Sequence, residues 1–229
     1  MDHVSPPGRP AALRLGSVAP DFTADTTQGR VRFHDWIGDA WAILFSHPDD
    51  FTPVCTTELA EVARLAPEFA RRGVKVIGLS ANDVASHRAW IDDIHDIGGV
   101  PLRFPIIGDP DRTVAMLYDM LDALDPTNRD AAGVPFTVRD VFVIDPKKLI
   151  RLKLSYPAST GRHFAEILRA IDSLQLGDAH RVTTPANWQP GDEVIVHPAV
   201  ADAEAAQLFP GFRTVRPYLR YTPDPRGAP

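Results

Sequence analysis

The residue with the clearest chemical potential is Cys55, because the 229-residue chain contains a single cysteine. A lone cysteine can form no internal disulfide and cannot supply a thiolate cluster for zinc. Its side chain is therefore either a small buried apolar group or a reactive thiol. The sequence around it has to distinguish these two interpretations.

Cys55 lies between a predicted strand and a predicted helix. An apolar run over residues 41–45 predicts the strand, and an apolar stripe from about Thr56 to Arg72 predicts the helix, which Pro67 should kink and Gly73 should end. Backbone N–H groups at a helix N-terminus lack helical partners and stabilise an anion. Because the thiolate is the nucleophilic form of cysteine, this position predicts a reactive thiol.

Two prolines stiffen the loop that leads to Cys55. Pro48 and Pro53 have a fixed φ and no N–H, so the loop should hold one conformation and preform a pocket. Thr52 lies three residues before the cysteine. Its hydroxyl can either orient a reactant beside the sulfur or act as an ordinary helix cap.

The rest of the chain predicts an α/β core that positions this loop. Strand-like runs at residues 41–45 and 74–79 alternate with helical patterns at residues 56–72 and 83–97. A third helical pattern carries Val114, Leu117 and Leu121, and two strands follow at residues 138–144 and 149–154. A last helix over residues 162–176 has Gly177 behind it as a stop signal, so the core should end near residue 177.

Beyond residue 177 prolines recur so often that the sequence predicts a mostly irregular arm. Its apolar residues, such as Trp188, Val194 and Phe209, should pack either on their own core or on a partner subunit. We therefore expect an N-terminal tail over residues 1–12, an α/β domain over residues 13–177 and a C-terminal extension over residues 178–229.

Charge and hydropathy exclude several classes of partner. The net charge is -6 and no basic block stands out, so we expect no nucleic acid partner. No run approaches the roughly 20 apolar residues that cross a bilayer, and residues 1–10 lack the apolar stretch of a signal peptide. We expect a cytoplasmic protein without a membrane partner.

The pattern Pro-x-x-x-Thr-x-x-Cys, here Pro48 to Cys55, resembles the active-site signature of peroxiredoxins. The resemblance extends from about Val18 onward and is nearest to the 1-Cys, peroxiredoxin-6-type branch. The further matches lie in residues 33–39, 44–58, 65–70, 104–107, 156–158, 160–162 and 218–223. So many matches in the same order along the chain argue strongly against a purely structural role for Cys55.

The resemblance implies a thioredoxin-like α/β fold, with a central mixed sheet flanked by helices and a C-terminal extension used in dimer contacts. It implies a thiol peroxidase that reduces hydrogen peroxide and organic hydroperoxides without a cofactor or a metal. An external thiol or another reductant would reset the enzyme, because no second cysteine is present. We expect a homodimer, with assembly of dimers into rings left open.

The resemblance also assigns roles to individual residues. It makes Cys55 the nucleophile, places the Thr52 hydroxyl on the sulfur and the peroxide, and makes Pro48 a shield of the pocket. Arg139 matches the active-site arginine, whose guanidinium would hold the thiolate and polarise the peroxide. The neighbouring Asp140 should point away from the pocket, because successive strand residues face opposite sides.

Three further residues match supporting positions of the family. Glu58 and Arg162 would help to hold the active-site arginine and the loop. His47 would either tune the site near neutral pH or make only a structural hydrogen bond. The remaining histidines, such as His87 and His95, are scattered singly, and we expect them at the surface.

Some members of this branch carry a phospholipase activity built on a serine hydrolase triad, and here the sequence departs from them. The serine matches Ala40, which has no nucleophile, and the aspartate matches Lys147. His34, the remaining match, should be structural. We expect no phospholipase activity.

Two other functional classes compete with a peroxidase. A thiol transferase of the thioredoxin type needs a Cys-x-x-Cys pair, and position 58 is Glu, which excludes it. A non-catalytic interaction or chaperone protein is supported only by the apolar residues of the C-terminal arm. Consumption of hydrogen peroxide by a catalytic amount of protein with excess dithiothreitol would distinguish these classes.

Overall fold

The computed structural model describes residues 13–121 and 125–227, and the chain divides into two compact units between Arg162 and His163. The predicted tail over residues 1–12 lies outside the described residues. The boundary at residue 177 predicted from composition stays a prediction. In the part of the chain that is described, no helix has both the length and the apolar character needed to cross a membrane.

The first unit alternates strands and helices, as the sequence predicts. Its elements are β1 (Thr23–Thr26), β2 (Gly29–Arg32), α1 (Phe33–Ile37), β3 (Trp41–Ser46), α2 (Pro53–Arg71), β4 (Val74–Ser80), α3 (Val84–Gly98), β5 (Ile106–Gly108), α4 (Thr113–Leu117), β6 (Arg139–Ile144) and β7 (Ile150–Tyr156).

The strands of this unit form one mixed sheet in the order β2-β1-β5-β4-β3-β6-β7. The central strands β3, β4 and β5 run parallel, whereas β6, β7 and β1 pair antiparallel with their neighbours. This mixed sheet confirms the predicted fold class. Because the carboxyl ends of β3 and β4 meet at one edge, the loops that follow them lie together and can build a site.

Alternate residues of β3 pack on opposite faces of the sheet. Ala42 and Leu44 belong to a core cluster that also contains Phe33 and Ile37 of α1, while Ile43 and Phe45 are buried on the other face. Helices α2 and α3 pack against each other, and α2 also packs against β4. Burial on both faces fixes β3 in place, and with it the loop that follows.

Two helices differ from the sequence prediction. Helix α2 begins at Pro53 instead of near Thr56, whereas its end at Arg71, beyond Pro67, agrees with the prediction. Helix α4 ends at Leu117, because Asp119 adopts a left-handed φ of 52° that a helix cannot continue. Leu121, predicted on this helix, instead forms an isolated bridge with Thr137.

The second unit contains α5 (Phe164–His180), β8 (Val182–Thr183), β9 (Val194–Val196), α6 (Asp202–Leu208), β10 (Arg213–Arg216) and β11 (Leu219–Thr222). The four strands form an antiparallel sheet in the order β10-β11-β9-β8. As predicted, most described residues of the arm beyond residue 177 lie outside helices and strands, but the arm also contains this sheet of short strands, which was not predicted. Its apolar residues form a core of their own, which includes Trp188, Val194 and Phe209.

Gly177 is not the stop signal that the sequence suggested. Helix α5 passes through it and ends at His180, where Arg181 adopts a left-handed φ of 54°. A Cβ atom at position 177 would lie 3.2 Å from the carbonyl oxygen of Val182. Glycine at this position therefore accommodates the close approach of the chain that follows the helix, where a larger residue would require a small shift of the backbone at Val182.

Candidate active site

Cys55 is the third residue of α2, and its side chain is 0% exposed. Pro53 begins the helix, where its missing N–H costs no hydrogen bond. The first turn contains no acidic residue and receives no side-chain cap. Its N–H groups therefore remain available to stabilise a thiolate, as the sequence predicts.

Arg139, the first residue of β6, brings its guanidinium to the sulfur. Its Nη1 lies 3.3 Å from Cys55 Sγ and 2.7 Å from Glu58 Oε2. Its Nε and Nη2 donate to the carbonyl oxygen of Ala158 at 2.9 and 2.7 Å. These contacts fix the orientation of the guanidinium plane. The guanidinium is always charged, and Arg139 is buried beside the thiol, with 3% of the residue exposed.

Glu58, one turn beyond Cys55, binds both arginines predicted around it. Arg162 donates its backbone N–H and Nε to Glu58 Oε1 at 2.7 and 2.9 Å, and its Nη2 to Oε2 at 2.7 Å. Burial alone would raise the pKa of Glu58, but the hydrogen bonds and charge of Arg162, with the charge of Arg139, hold it below its ordinary value. We call Glu58, Arg139 and Arg162 the Glu58 cluster, which carries one net positive charge.

A cavity of about 350 Å³ opens onto this cluster. The predicted residues Pro48, Thr52 and Arg139 line it, together with Pro53 and Val54. Thr52 is the N-cap residue of α2, yet its hydroxyl donates to the carbonyl oxygen of Asp49 at 2.9 Å and does not cap the helix. Its lone pairs remain able to accept a hydrogen bond from a substrate in the cavity.

Asp140 faces away from Arg139, as predicted from strand alternation. Its carboxylate accepts a hydrogen bond from Ser155 Oγ, on the paired residue of β7. Burial raises the pKa of Asp140. The positive charge of Arg139 is therefore not cancelled by its sequence neighbour.

A second carboxylate, Asp50, is buried between two histidines. His47 Nε2 lies 2.9 Å from Asp50 Oδ1, and His87 Nδ1 lies 2.8 Å from Asp50 Oδ2. Ser86 Oγ also donates to Oδ2, at 2.7 Å. His47 and His87 are both 0% exposed, so the surface position predicted for His87 was wrong. We call His47, Asp50 and His87 the Asp50 cluster.

The hydrogen bonds of the Asp50 cluster determine where its protons lie. Burial alone would raise the pKa of Asp50, but the hydrogen bonds from His47 and His87 hold it well below its ordinary value. Burial lowers the pKa of His47, so this ring is neutral at pH 7 with its proton on Nε2. Its Nδ1 is a bare acceptor with no hydrogen-bond partner among the described residues.

Both ring nitrogens of His87 face oxygen acceptors, since Nε2 lies 3.0 Å from the carbonyl oxygen of Ile107. Each ring nitrogen therefore has an oxygen acceptor within hydrogen-bond distance, which fixes the orientation of the His87 ring. The cluster also offers the nitrogen and oxygen atoms that divalent metals bind. Its separations of 2.8–2.9 Å are those of hydrogen bonds, and the expected absence of a metal stays a prediction.

The loop between β3 and α2 is anchored to the end of β4. Asn82 Nδ2 donates to Asp49 Oδ1 at 2.7 Å, and the backbone N–H of Asp50 donates to Asn82 Oδ1 at 3.2 Å. Phe51 has a left-handed φ of 54°, which is costly for a residue with a bulky side chain. These hydrogen bonds before Phe51, and the one that Thr52 after it donates to the carbonyl oxygen of Asp49, hold the loop in its strained form.

Sequence reasoning missed Asp50, Asn82 and the carbonyl of Ala158. A signal for His87 was present, because it shares one helical stripe with Trp90 and Ile94, which are both buried in α3. No local pattern marks Asn82 or Ala158, since each contributes through a loop that tertiary folding brings to the site.

The positions matched to a phospholipase triad do not form one. Ala40 has only a methyl side chain. His34 Nε2 lies 2.7 Å from the carbonyl oxygen of Ala19, which is a structural contact. The expected absence of phospholipase activity stays a prediction.

Comparison with known proteins agrees with this site. A family model described as the AhpC/TSA family matches residues 15–153, and a model described as the C-terminal domain of 1-Cys peroxiredoxin matches residues 173–211. The mitochondrial peroxiredoxin PRX1 of Saccharomyces cerevisiae is 55% identical over 211 residues, which cover 92% of this chain and 80% of the relative.

Two solved structures share the fold. A cysteine-to-serine mutant of the peroxiredoxin 6 of Arenicola marina has a TM-score of 0.90 and 48% identity, covering 94% of this chain and 100% of the other. The yeast mitochondrial 1-Cys peroxiredoxin, solved to explain thiol resolving by the glutathione/thioredoxin systems, has a TM-score of 0.84 and 52% identity, covering 92% and 99% of the two chains.

The fold and the site define a thiol peroxidase on a thioredoxin-like α/β scaffold, which is an oxidoreductase with an antioxidant role. The chain belongs to the AhpC/TSA family, in the 1-Cys peroxiredoxin branch.

Proposed function

We propose that the Cys55 thiolate reduces hydrogen peroxide and organic hydroperoxides bound in the cavity beside Thr52 and Arg139. The sulfur attacks the nearer peroxide oxygen, so that an S–O bond forms while the O–O bond breaks. The departing oxygen takes a proton and leaves as water or an alcohol, and the sulfur becomes a sulfenic acid. The observation that carries the proposal is Arg139 Nη1, 3.3 Å from Sγ.

The Glu58 cluster supplies the electrostatic part of this reaction. Its single net positive charge stabilises the thiolate before attack and the negative charge on the oxygens during attack. Glu58 and Arg162 hold the guanidinium in one orientation, so little reorganisation is needed when the charge moves. Thr52 and Pro48 line the cavity and shape the space beside the guanidinium of Arg139.

We propose that an external thiol resets the enzyme. The first thiol attacks the sulfenic sulfur, releases water and forms a mixed disulfide, and a second thiol displaces Cys55 as a free thiol. The structure of the yeast relative was solved to explain thiol resolving by the glutathione/thioredoxin systems, and this supports a thiol reductant for the present chain. Because Cys55 is fully buried, a reductant has to wait until the first turn of α2 opens.

We propose a homodimer as the working form. Among the described residues β7 pairs as a strand only with β6. Backbone hydrogen bonds with Gly16 and Ser17 occupy its Ile150 end, so its outer edge is free to pair with a second copy of the chain beyond Ile150. Sedimentation would give the mass, and a monomer at micromolar concentration would contradict the proposal. The assembly of dimers into rings and the cytoplasmic location both stay predictions.

The non-catalytic alternative has lost most of its support. It depended on apolar residues in the C-terminal arm, and Trp188, Val194 and Phe209 pack in a core within their own unit. Few large apolar side chains of the described arm are exposed, among them Leu208 and Tyr218, so the arm offers few apolar side chains to a client protein.

Intact mass spectrometry tests the proposed cycle. After one equivalent of peroxide we expect a one-oxygen adduct that dimedone traps, and after excess peroxide we expect sulfinic acid. Turnover with glutathione, thioredoxin and ascorbate should then identify the reductant. A covalent dimer through two Cys55 residues as the main product would contradict resolution by an external thiol.

A further inference from the structure

A larger cavity lies at the opposite end of α2 from Cys55. Its volume is about 650 Å³, and it is formed by the second half of α2, the start of β4 and the loop over residues 100–105. Ala63, the nearest lining residue on the helix, lies about two turns after Cys55. The cavity borders the amino end of β4, whereas the peroxide cavity lies beyond the carboxyl end of β3. We call it the far cavity.

The floor of the far cavity is apolar because of small residues on one face of α2. Ala63, Ala66 and Ala70 share this face, at spacings of three and four residues. Phe104 and Val76, both buried, form the opposing wall. Any longer side chain at the alanine positions would fill the space. A volume of 650 Å³ lies within the range of natural small-molecule sites.

The rim of the far cavity is positively charged. Lys75 and Arg103 are exposed, and the Arg103 guanidinium has no hydrogen-bond partner among the described residues. Lys75 Nζ lies over the Trp36 ring, 5.6 Å from its centroid, and donates to the Trp36 carbonyl oxygen at 2.6 Å. No acidic residue appears among the described residues of the lining.

The remaining polar groups of the lining are already engaged. Arg64 is paired with Glu61 at 2.6 Å and adds no net charge. Gln28 Nε2 donates to the carbonyl oxygen of Arg103 at 3.0 Å, which anchors the loop that carries this arginine. Two cations therefore stand at the rim of an otherwise apolar space, in a chain whose net charge is -6. The unneutralised positive charge predicts an anionic ligand, and the apolar floor predicts that the rest of this ligand is hydrocarbon.

We propose that the far cavity binds a single-chain anionic amphiphile, with its hydrocarbon chain along the alanine face of α2 and its anionic head between Lys75 and Arg103. This site is separate from the peroxide cavity, because no described residue lines both cavities. Binding there stabilises the native chain by mass action without occupying the reactive sulfur.

Isothermal titration with dodecanoate, below its micelle concentration, tests the proposal on the full chain. We expect one saturable site per chain, and at least tenfold weaker binding of butanoate and of 1-dodecanol. Arg103→Glu should weaken dodecanoate binding at least tenfold. Arg14→Glu makes the same charge change at an exposed residue that does not line the cavity, and it should leave the affinity unchanged.

Ala66→Phe places a ring in the far cavity and should abolish saturable binding. If this variant does not fold, as judged by its melting curve, Ala70→Phe at an exposed position replaces it. Hydrogen peroxide turnover should be unchanged in all these variants, so a failure of the binding proposal is distinguishable from a failure of the peroxidase proposal. Binding that survives both phenylalanine variants, equal affinity for butanoate, or capture of an acidic peptide instead of dodecanoate would each overturn the proposal.

Discussion

Two buried carboxylates lie near the active-site loop, and each is held by two basic side chains. Glu58 is bound by Arg139 and Arg162, whereas Asp50 is bound by His47 and His87. The arginines are always charged, so the Glu58 cluster keeps one positive charge for the thiolate. The histidines of the Asp50 cluster carry no permanent charge, and burial lowers the pKa of His47. We infer that the first cluster serves catalysis and the second holds the loop.

The largest expected effect is that of removing the thiol. Cys55→Ser should abolish peroxide consumption, because a serine hydroxyl is not ionised near neutral pH and does not attack the O–O bond. The measurement is peroxide loss with excess dithiothreitol, with the wild-type chain as control. Substantial turnover by the variant would mean that neither cluster serves a thiol reaction.

Arg139→Met should slow the reaction of Cys55 with peroxide by about 100- to 1000-fold, the usual effect of removing one charge-stabilising donor. The fold should survive, because Glu58 keeps its hydrogen bonds to Arg162. Stopped-flow measurement of the oxidation step gives the rate, and Arg139→Lys, which keeps the charge but not the planar fork, should lie between. An unchanged rate of Cys55 oxidation would show that the Glu58 cluster has no catalytic role.

Asp50→Asn should affect the free energy of unfolding more than the rate of peroxide reduction. It removes the charged acceptor of two buried histidines, and the loss of one partner of such a pair costs about 3 kcal/mol in the free energy of unfolding. Asp93→Asn, at an exposed position of α3, is the matched control and should change stability by less than about 0.5 kcal/mol. Urea unfolding measures both. A large loss of peroxide rate with full stability would mean that the two clusters are not distinct.

The neutral state of His47 predicts a pH dependence of stability. Burial lowers the pKa of this histidine in the folded chain, whereas in the unfolded chain it is about 6.5. Below that pH the unfolded chain binds a proton that the folded chain does not, so stability falls as the pH decreases, by at most about 1.4 kcal/mol per pH unit. His47→Gln should remove this part of the slope between pH 7.5 and 5. If the curves of unfolding free energy against pH were parallel for the wild-type chain and His47→Gln, His47 would be protonated in the folded chain.

The smallest expected effect is the absence of phospholipase activity. The chain should release no fatty acid from a phospholipid above background, because Ala40 has no nucleophile. Ala40→Ser should remain inactive, since Lys147 stands where the resemblance places the aspartate. Release that survives repurification of the wild-type chain would contradict this prediction.

Local sequence was sufficient to predict the features that lie within one helical turn or one secondary-structure element. The position of Cys55 after a strand, the prolines of its loop and the helix that follows could all be read from spacing, because helix termini and proline geometry are local properties. The α/β rhythm followed from the periodicity of apolar residues. The same local reasoning missed the sheet of the second unit, because strands of two to four residues are too short to show a period.

By itself, then, the sequence determined the nucleophile, its helix and the class of fold. Only the tertiary structure decided what surrounds the sulfur: Arg139 reaches Cys55 from 84 residues away, and Arg162 reaches Glu58 from 104 residues away. It also buried His87 on Asp50, across 37 residues, where a solitary histidine had suggested the surface. The physical reason is that a buried charge needs partners from every side, and in a mixed sheet those partners come from strands and loops distant in the sequence.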